Sequence, residues 1–218
     1  MHWTFRDCET DASELRAMAT VAENDVVPAS AIGRGIGLSF TVRAARGCVA
    51  QIDVASGSIY LHAHGHAWTQ NFNTAHELSH LQVELTDSEW PHDEDRVDMI
   101  AVALLMPREV VLDVLLRIAL DDPAALIAAF PAVPPSWVLL RCAWVLGRPV
   151  AVHINGRRVW MPEHHVGATV VSLWEQRLVR DVRQTMQRQR AMGGEGIPVG
   201  ERGADGVLVI FSASNEEW

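Results

Sequence analysis

The chain of 218 residues predicts an α+β fold, and three observations carry that prediction. Three short runs, Leu38 to Arg43, Val49 to Val54 and Ser58 to His64, alternate apolar with other residues between turn residues and read as a small sheet. Before and after them, apolar residues three and four apart read as helices. Beyond Pro162 the composition changes, which marks a C-terminal appendage.

Taken in order, Ala12 to Glu23 is an amphipathic helix with Leu15, Met18, Ala19 and Ala22 on one face, ended by Asn24-Asp25 and Pro28. Gly33-Arg34-Gly35-Ile36-Gly37 resembles a phosphate loop superficially, but no helix opens after it, and a mobile turn is expected. The three strands follow, with Gly47 and Ser56-Gly57 at their turns. A helix is expected from Asn73 to Leu85, and a second one with Val97, Ile100, Ala101, Leu104 and Leu105 on its apolar side, stopped by Pro107. Glu109 to Leu120 and Ala124 to Phe130 read as helices parted by Asp121-Asp122-Pro123.

Val133-Pro134-Pro135-Ser136 opens a further helix through Leu146, closed by Gly147 and Pro149. Short helices joined by tight turns give this middle region a helix-turn-helix-like look. As a DNA reader it is poorly equipped: Trp137, Leu140, Trp144 and Val145 dominate, and only Arg141 and Arg148 are basic. Packing, or docking of a partner, suits it better. Val150 to Ile154, Asn155-Gly156 and Arg157 to Trp160 spell a hairpin. Val170 to Met192 is expected to be one helix, with five arginines on a solvated face and Leu173, Leu178, Val179, Val182 and Met186 packing. Gly193 to Gly206 reads as a loop and Val207 to Phe211 as a buried strand. The expected organisation is a core over 1–107, a helical segment over 108–162 and an appendage over 163–218.

Half of the residues are apolar, yet no run approaches the ~18 needed for a membrane span. The first residues lack the basic-then-apolar order of a signal peptide, so a cytoplasmic location is expected. Cys8, Cys48 and Cys142 are odd in number and far apart, which argues against a disulfide framework or a thiolate zinc site. All eighteen basic residues are arginine, which suggests a GC-rich bacterial or phage genome. A net charge of −9 disfavours general nucleic-acid affinity and suits a partner with a basic surface.

The chemistry concentrates in Ala75-His76-Glu77-Leu78-Ser79-His80. Residues four apart share a helix face, so His76 and His80 can present two imidazoles to one metal ion, with Glu77 beside them as the base that activates a water. Without further context the same pattern fits two solvated imidazoles on a surface helix. A catalytic zinc site needs a third protein ligand, and the two-histidine, one-glutamate set is a common one. Glu94 opens the next helix and can reach a metal held by the first; Asp98, four residues on, can accept the spare N–H of a histidine ligand. Asp93 and Asp95 read as acids favoured at a helix N-terminus. His92 and Glu84 are weaker candidates for the third ligand. The longer signature with a third histidine is excluded, because Val83 and Thr86 occupy its glycine and last histidine positions.

A peptide hydrolase also needs a donor for the oxyanion, and Tyr60, His62, His64, His66 and His153 are the candidates. Alternation places His62, His64 and His66 on one strand face, which could be a second metal site or the lining of a cleft. With no carboxylate at ligand spacing, the outward face of an edge strand is the better reading, and one of the three can still serve as oxyanion donor. Tyr60 is expected to face the opposite way, into the core.

Asn71-Phe72-Asn73-Thr74-Ala75-His76-Glu77-Leu78-Ser79-His80, then Glu94, Val97-Asp98, Ala101 and Leu104-Leu105-Met106-Pro107, resemble the ImmA/IrrE-type metallopeptidases. Members typically read RFTLAHELGH, then ExxAN, then FAAxLLMP. The likeness is specific from Phe72 to Pro107 and diffuse from Ala12 to Pro162. It departs at Asn73-Thr74, Ser79, Val97, Asp98 and Ile100, none of which is a metal ligand in the family.

The resemblance implies a gluzincin-like zinc peptidase core, a small sheet plus metal-bearing helices, followed by a helix-turn-helix-like middle. It implies one divalent ion, Zn²⁺ or Mn²⁺, on His76, His80 and Glu94, with Glu77 as catalytic base. It also implies a substrate: a helix-turn-helix repressor of the XRE class, cut selectively to derepress stress-response or mobile-element genes. The alternative is a non-catalytic repressor- or DNA-binding module, or a toxin–antitoxin partner, on the same fold.

Overall fold

The computed structural model describes residues 4–43, 50–62, 67–86, 93–120, 122–147, 150–154, 157–160, 173–185, 189–191, 194–201 and 204–211. It is α+β, and the chain divides into two compact units. The first comprises Met1–Asp113 and Phe130–Pro134; the second comprises Val114–Ala129 and Pro135–Trp218.

The first unit opens with α1 (Phe5–Met18), which starts seven residues earlier than the apolar spacing suggests. Its start is set by a capping box: Asp7 donates its N–H to the Thr4 hydroxyl, and the Asp7 carboxylate accepts from the Thr4 N–H at 2.6 Å. The buried stripe is Cys8, Ala12, Leu15 and Ala19. Because the helix ends at Met18, that residue is 52% exposed and Ala22 lies outside the helix on the surface, against expectation. The following turn is tied down by Arg16, whose guanidinium donates to the carbonyls of Ala22, Asp25 and Leu104.

The glycine-rich run is not a mobile turn. Gly33 to Gly35 close α2 (Ala29–Gly35), with Ile36 and Gly37 in the turn after it, and Gly33 and Gly35 make room for neighbours. A Cβ at Gly33 would stand 2.4 Å from the Phe40 ring, and one at Gly35 would stand 2.6 Å from the Ala19 carbonyl oxygen. Strands β1 (Ser39–Arg43), β2 (Ala50–Asp53) and β3 (Ser58–His62) form a sheet of order β1-β3-β2, with β3 parallel to β1 and antiparallel to β2. Helix α3 (Ala67–Thr86) packs on β2 and β3, and α4 (Glu94–Leu105) packs on α3 and α1. Asn71 on α3 accepts from the Ala29 N–H and donates to the Ala132 carbonyl, which binds the Phe130–Pro134 segment into this unit. Helix α5 (Arg108–Leu115), which crosses from Asp113 of the first unit to Val114 of the second, ends five residues short of expectation, with the Arg117 N–H donating to the Val114 carbonyl three residues back in a tightened turn.

In the second unit, α6 (Pro123–Ala129) precedes α7 (Pro135–Val145), which is buried on nearly every side, as its apolar sequence requires. Arg141 is fully buried, its guanidinium stacked 4.2 Å from the Trp144 ring centre, so it is not available to DNA. Burial pushes the Cys142 thiol up to about 12, which leaves it protonated and inert. Strands β4 (Val150–Ile154) and β5 (Arg157–Trp160) pair antiparallel, as the hairpin signal predicts. The expected helix over Val170 to Met192 is α8 (Leu173–Thr185) followed by strand β6 (Gln189–Ala191). The expected loop contains strand β7 (Gly194–Glu201), paired along its length with β8 (Ala204–Phe211). A glycine-rich strand is held by its backbone ladder and has little side-chain alternation to read. The five strands run β5-β4-β8-β7-β6, and α8 packs on the last three through Leu178, Val179 and Val182. Among the described residues no helix is long and apolar enough to cross a membrane.

Two outcomes follow from these contacts. Gly35→Ala should lower stability by about 1–3 kcal/mol in urea unfolding, because its methyl group meets main-chain atoms of Ala19 that cannot swing aside. Thr4→Ala should cost about 1 kcal/mol at neutral pH. The Thr4 backbone and side-chain hydrogen bonds hold the Asp7 carboxyl below its ordinary 3.8. A depressed folded-state pKa gives stability that is present above the unfolded value and lost as pH falls through the folded one. The gap between wild type and Thr4→Ala should therefore narrow below pH 3.8 in the same unfolding assay.

Candidate metal centre

Helix α3 sets its buried face with Phe72, Ala75, Leu78, Ser79, Gln82 and Val83. His76 and His80 stand on the flank of that face, half-buried and one turn apart, with ring centres 4.7 Å apart and nearly perpendicular planes. Ser79, where the resembling family has glycine, is fully buried and donates its hydroxyl to the Ala75 carbonyl at 2.8 Å. The substitution therefore leaves no unpaired polar group.

Helix α4 begins with Asp93 as its cap, accepting from the Arg96 N–H at 3.1 Å, so Asp93 has the structural role that its position predicts. Glu94 follows on the first turn and lies with His76 and His80 in one group whose ligand atoms are all within 4.8 Å of one another. Between the individual atoms, His76 Nε2 and His80 Nε2 are 3.1 Å apart, and Glu94 Oε2 is 3.3 Å from the first and 3.6 Å from the second. Donors held ~2.0–2.1 Å from a tetrahedral ion stand roughly 3.3–3.4 Å from one another. The three separations bracket that value, so the donor set fits one ion of zinc size.

Asp98 completes the arrangement. Its carboxylate oxygen lies 2.8 Å from His76 Nδ1, which places the ring proton on Nδ1 and leaves Nε2 with its lone pair toward His80 and Glu94. Burial works against a charged His76, but the hydrogen bond to Asp98 and the charges of Asp98, Glu77 and Glu94 outweigh it and raise the imidazole above its ordinary 6.5. Asp95 is pushed up by burial and by the charges of Asp93, Asp98 and Glu94. The carboxylates around His76 make a locally negative field that favours a cation.

Glu77 lies beside the group and is half-buried, with Oε2 accepting the main-chain N–H of Ile52 on β2 at 2.8 Å. No sequence signal marks that contact, since a backbone amide has no residue identity. Two further links went unforeseen. Arg96 on α4 donates to Asp11 on α1 at 3.0 Å, both buried, and Gln82 on α3 donates to Glu14 on α1 at 2.8 Å. Each ties one of the two helices of the site back to α1.

Other candidates separate from the centre. Glu84 is exposed and outside the metal group. His64, His66 and His92 lie outside the described residues, while His62 pairs with Arg43 in the β1–β3 ladder. Tyr60 is not the core residue expected. Ile59 is the fully buried residue of β3, and Tyr60, one step along, is half-buried with the strand parity of position 62.

Titration of Zn²⁺ into the metal-stripped chain should show one tight site per chain by calorimetry. Glu94→Ala should weaken it at least tenfold, and Asp98→Ala by about 10–100-fold through loss of ring orientation.

No family model matches the chain, and neither does any curated protein. Among solved structures, a Mycobacterium tuberculosis transcriptional regulator is similar, with a TM-score of 0.67 at 15% identity, covering 96% of this chain and 76% of that one. At that identity the likeness bears on the fold alone.

Proposed function

We propose that the chain is a metal-dependent endopeptidase with a gluzincin-like core, making selective cuts in a protein regulator. The observation that carries this reading is the convergence of His76, His80 and Glu94 at ligand spacing, with Asp98 on the back of one imidazole and Glu77 alongside. When bound, a divalent ion such as Zn²⁺ or Mn²⁺ supplies Lewis acidity to a peptide carbonyl and to the attacking water. His76, His80 and Glu94 would hold it, and Asp98 would keep His76 in the tautomer that can ligate. Glu77 takes the proton from the water and delivers it to the leaving nitrogen. The oxyanion donor comes from β3 or the residues after it: Tyr60, His62, His64 or His66.

An XRE-class helix-turn-helix repressor is the proposed substrate, on the strength of the resemblance over Phe72 to Pro107. The chain's net charge of −9 complements the basic surface such a protein uses for DNA. A second reading has one observation in its favour: the structural neighbour is called a transcriptional regulator. On that reading the chain is a non-catalytic module that binds a repressor or DNA.

One variant separates the two. Zinc-loaded wild type, incubated with XRE-class repressors from the same genome, should yield discrete fragments on a gel. Glu77→Gln should slow that cleavage by about 10²–10⁴-fold while still binding one zinc. Fragments formed equally fast by the variant, or no cleavage together with undiminished repressor binding, would favour the non-catalytic module.

A further inference from the structure

Strand β2 is an outer strand of the three-stranded sheet: β3 lies on one side, and among the described residues no strand pairs on the other. In an antiparallel ladder the main-chain groups of successive residues turn alternately toward the partner and away from it. Ile52 stands opposite Ile59, and its N–H donates outward to Glu77 Oε2 at 2.8 Å. A carboxylate from α3 thereby occupies a donor that a further strand would otherwise take. The contact depends on the phase of β2 and not on the isoleucine side chain. Slipping the β2 register by one residue would turn this amide toward β3 and release Glu77.

A glutamate has three rotatable side-chain bonds, so without an anchor its carboxylate samples many positions. Hydrogen bonds from an amide to an ionised carboxylate are among the stronger ones, and both partners here are half-buried. We propose that the Ile52 main-chain amide is a positioning group for Glu77: it fixes one carboxylate oxygen on the sheet, leaves Oε1 for proton transfer, and couples the open edge of β2 to the centre. Its part in hydrolysis rests on the metallopeptidase reading; the anchoring itself does not.

Amide exchange in the ¹⁵N-labelled full chain separates the two. In wild type the Ile52 amide should be protected although it points away from β3. Glu77→Ala should speed its exchange at least tenfold, Glu77→Gln should keep the protection through the amide oxygen, and Gln51 should not change in either. Equal exchange at Ile52 in wild type and Glu77→Ala overturns the proposal, whether or not the chain proves to be a peptidase. Ile52→Pro removes the donor without breaking a bond to β3. With the XRE-class repressor that the wild type cleaves as probe, it should lower kcat at least tenfold, with KM and zinc stoichiometry held. A folded Ile52→Pro variant as active as wild type would also overturn it.

Discussion

Asp98 can meet His76 at 2.8 Å only if α3 and α4 keep one fixed separation and one fixed rotation about their axes. The other contacts of the first unit hold that arrangement. Nearly all of α4 from Arg96 to Leu105 is buried, Asp98 being the half-buried exception, so the helix has no freedom to roll. Helix α1 then fastens both partners with one carboxylate each, Asp11 to Arg96 and Glu14 to Gln82. A buried ion pair adds little net stability, because desolvation cancels much of its attraction. What the Asp11–Arg96 pair supplies is register: any slide of α4 along α1 would strand two charges out of water.

The same arrangement explains why acids crowd where repulsion should forbid them. Asp93, Glu94 and Asp95 open α4, where unpaired helix N–H groups offset negative charge. Asp98 and Glu77 extend that field over the two imidazoles, and His76 responds by holding its proton more firmly. Protons and a metal ion would therefore compete for one pair of electrons, and the carboxylates that attract a cation also raise the pH at which protons begin to displace it.

Much of this was legible in residue order. Four-residue spacing put His76 and His80 on one face, and the Glu94 and Asp98 positions followed from helix period and from Pro107 as terminator. Elements whose cause is not side-chain period were misread. Thr4 and Asp7 set the start of α1 through a cap that precedes the apolar stripe. The Gly33 to Gly37 run looks loose in sequence because Gly33 and Gly35 are there for close contact with Phe40 and Ala19, while Gly37 takes the positive φ of the turn that follows. In the β7–β8 ladder, glycines conceal a strand that backbone pairing defines. Tyr60 looks like a core residue in sequence, but Ile59 holds that face. The Ile52 amide had no sequence signature at all.

Glu94 differs from its two partners in how it is held. His76 and His80 stand in the interior of a twenty-residue helix, whereas Glu94 sits on the first turn of α4 with a side chain 63% exposed. Helix ends fray and interiors do not. A captured ion would meet a rigid two-point seat first and a hinged third arm second, and its departure would begin with that arm. The lifetime of a loaded state would then follow the opening of one helical turn, and a substitution that loosens the Asp93 cap would shorten it while leaving the two imidazoles untouched.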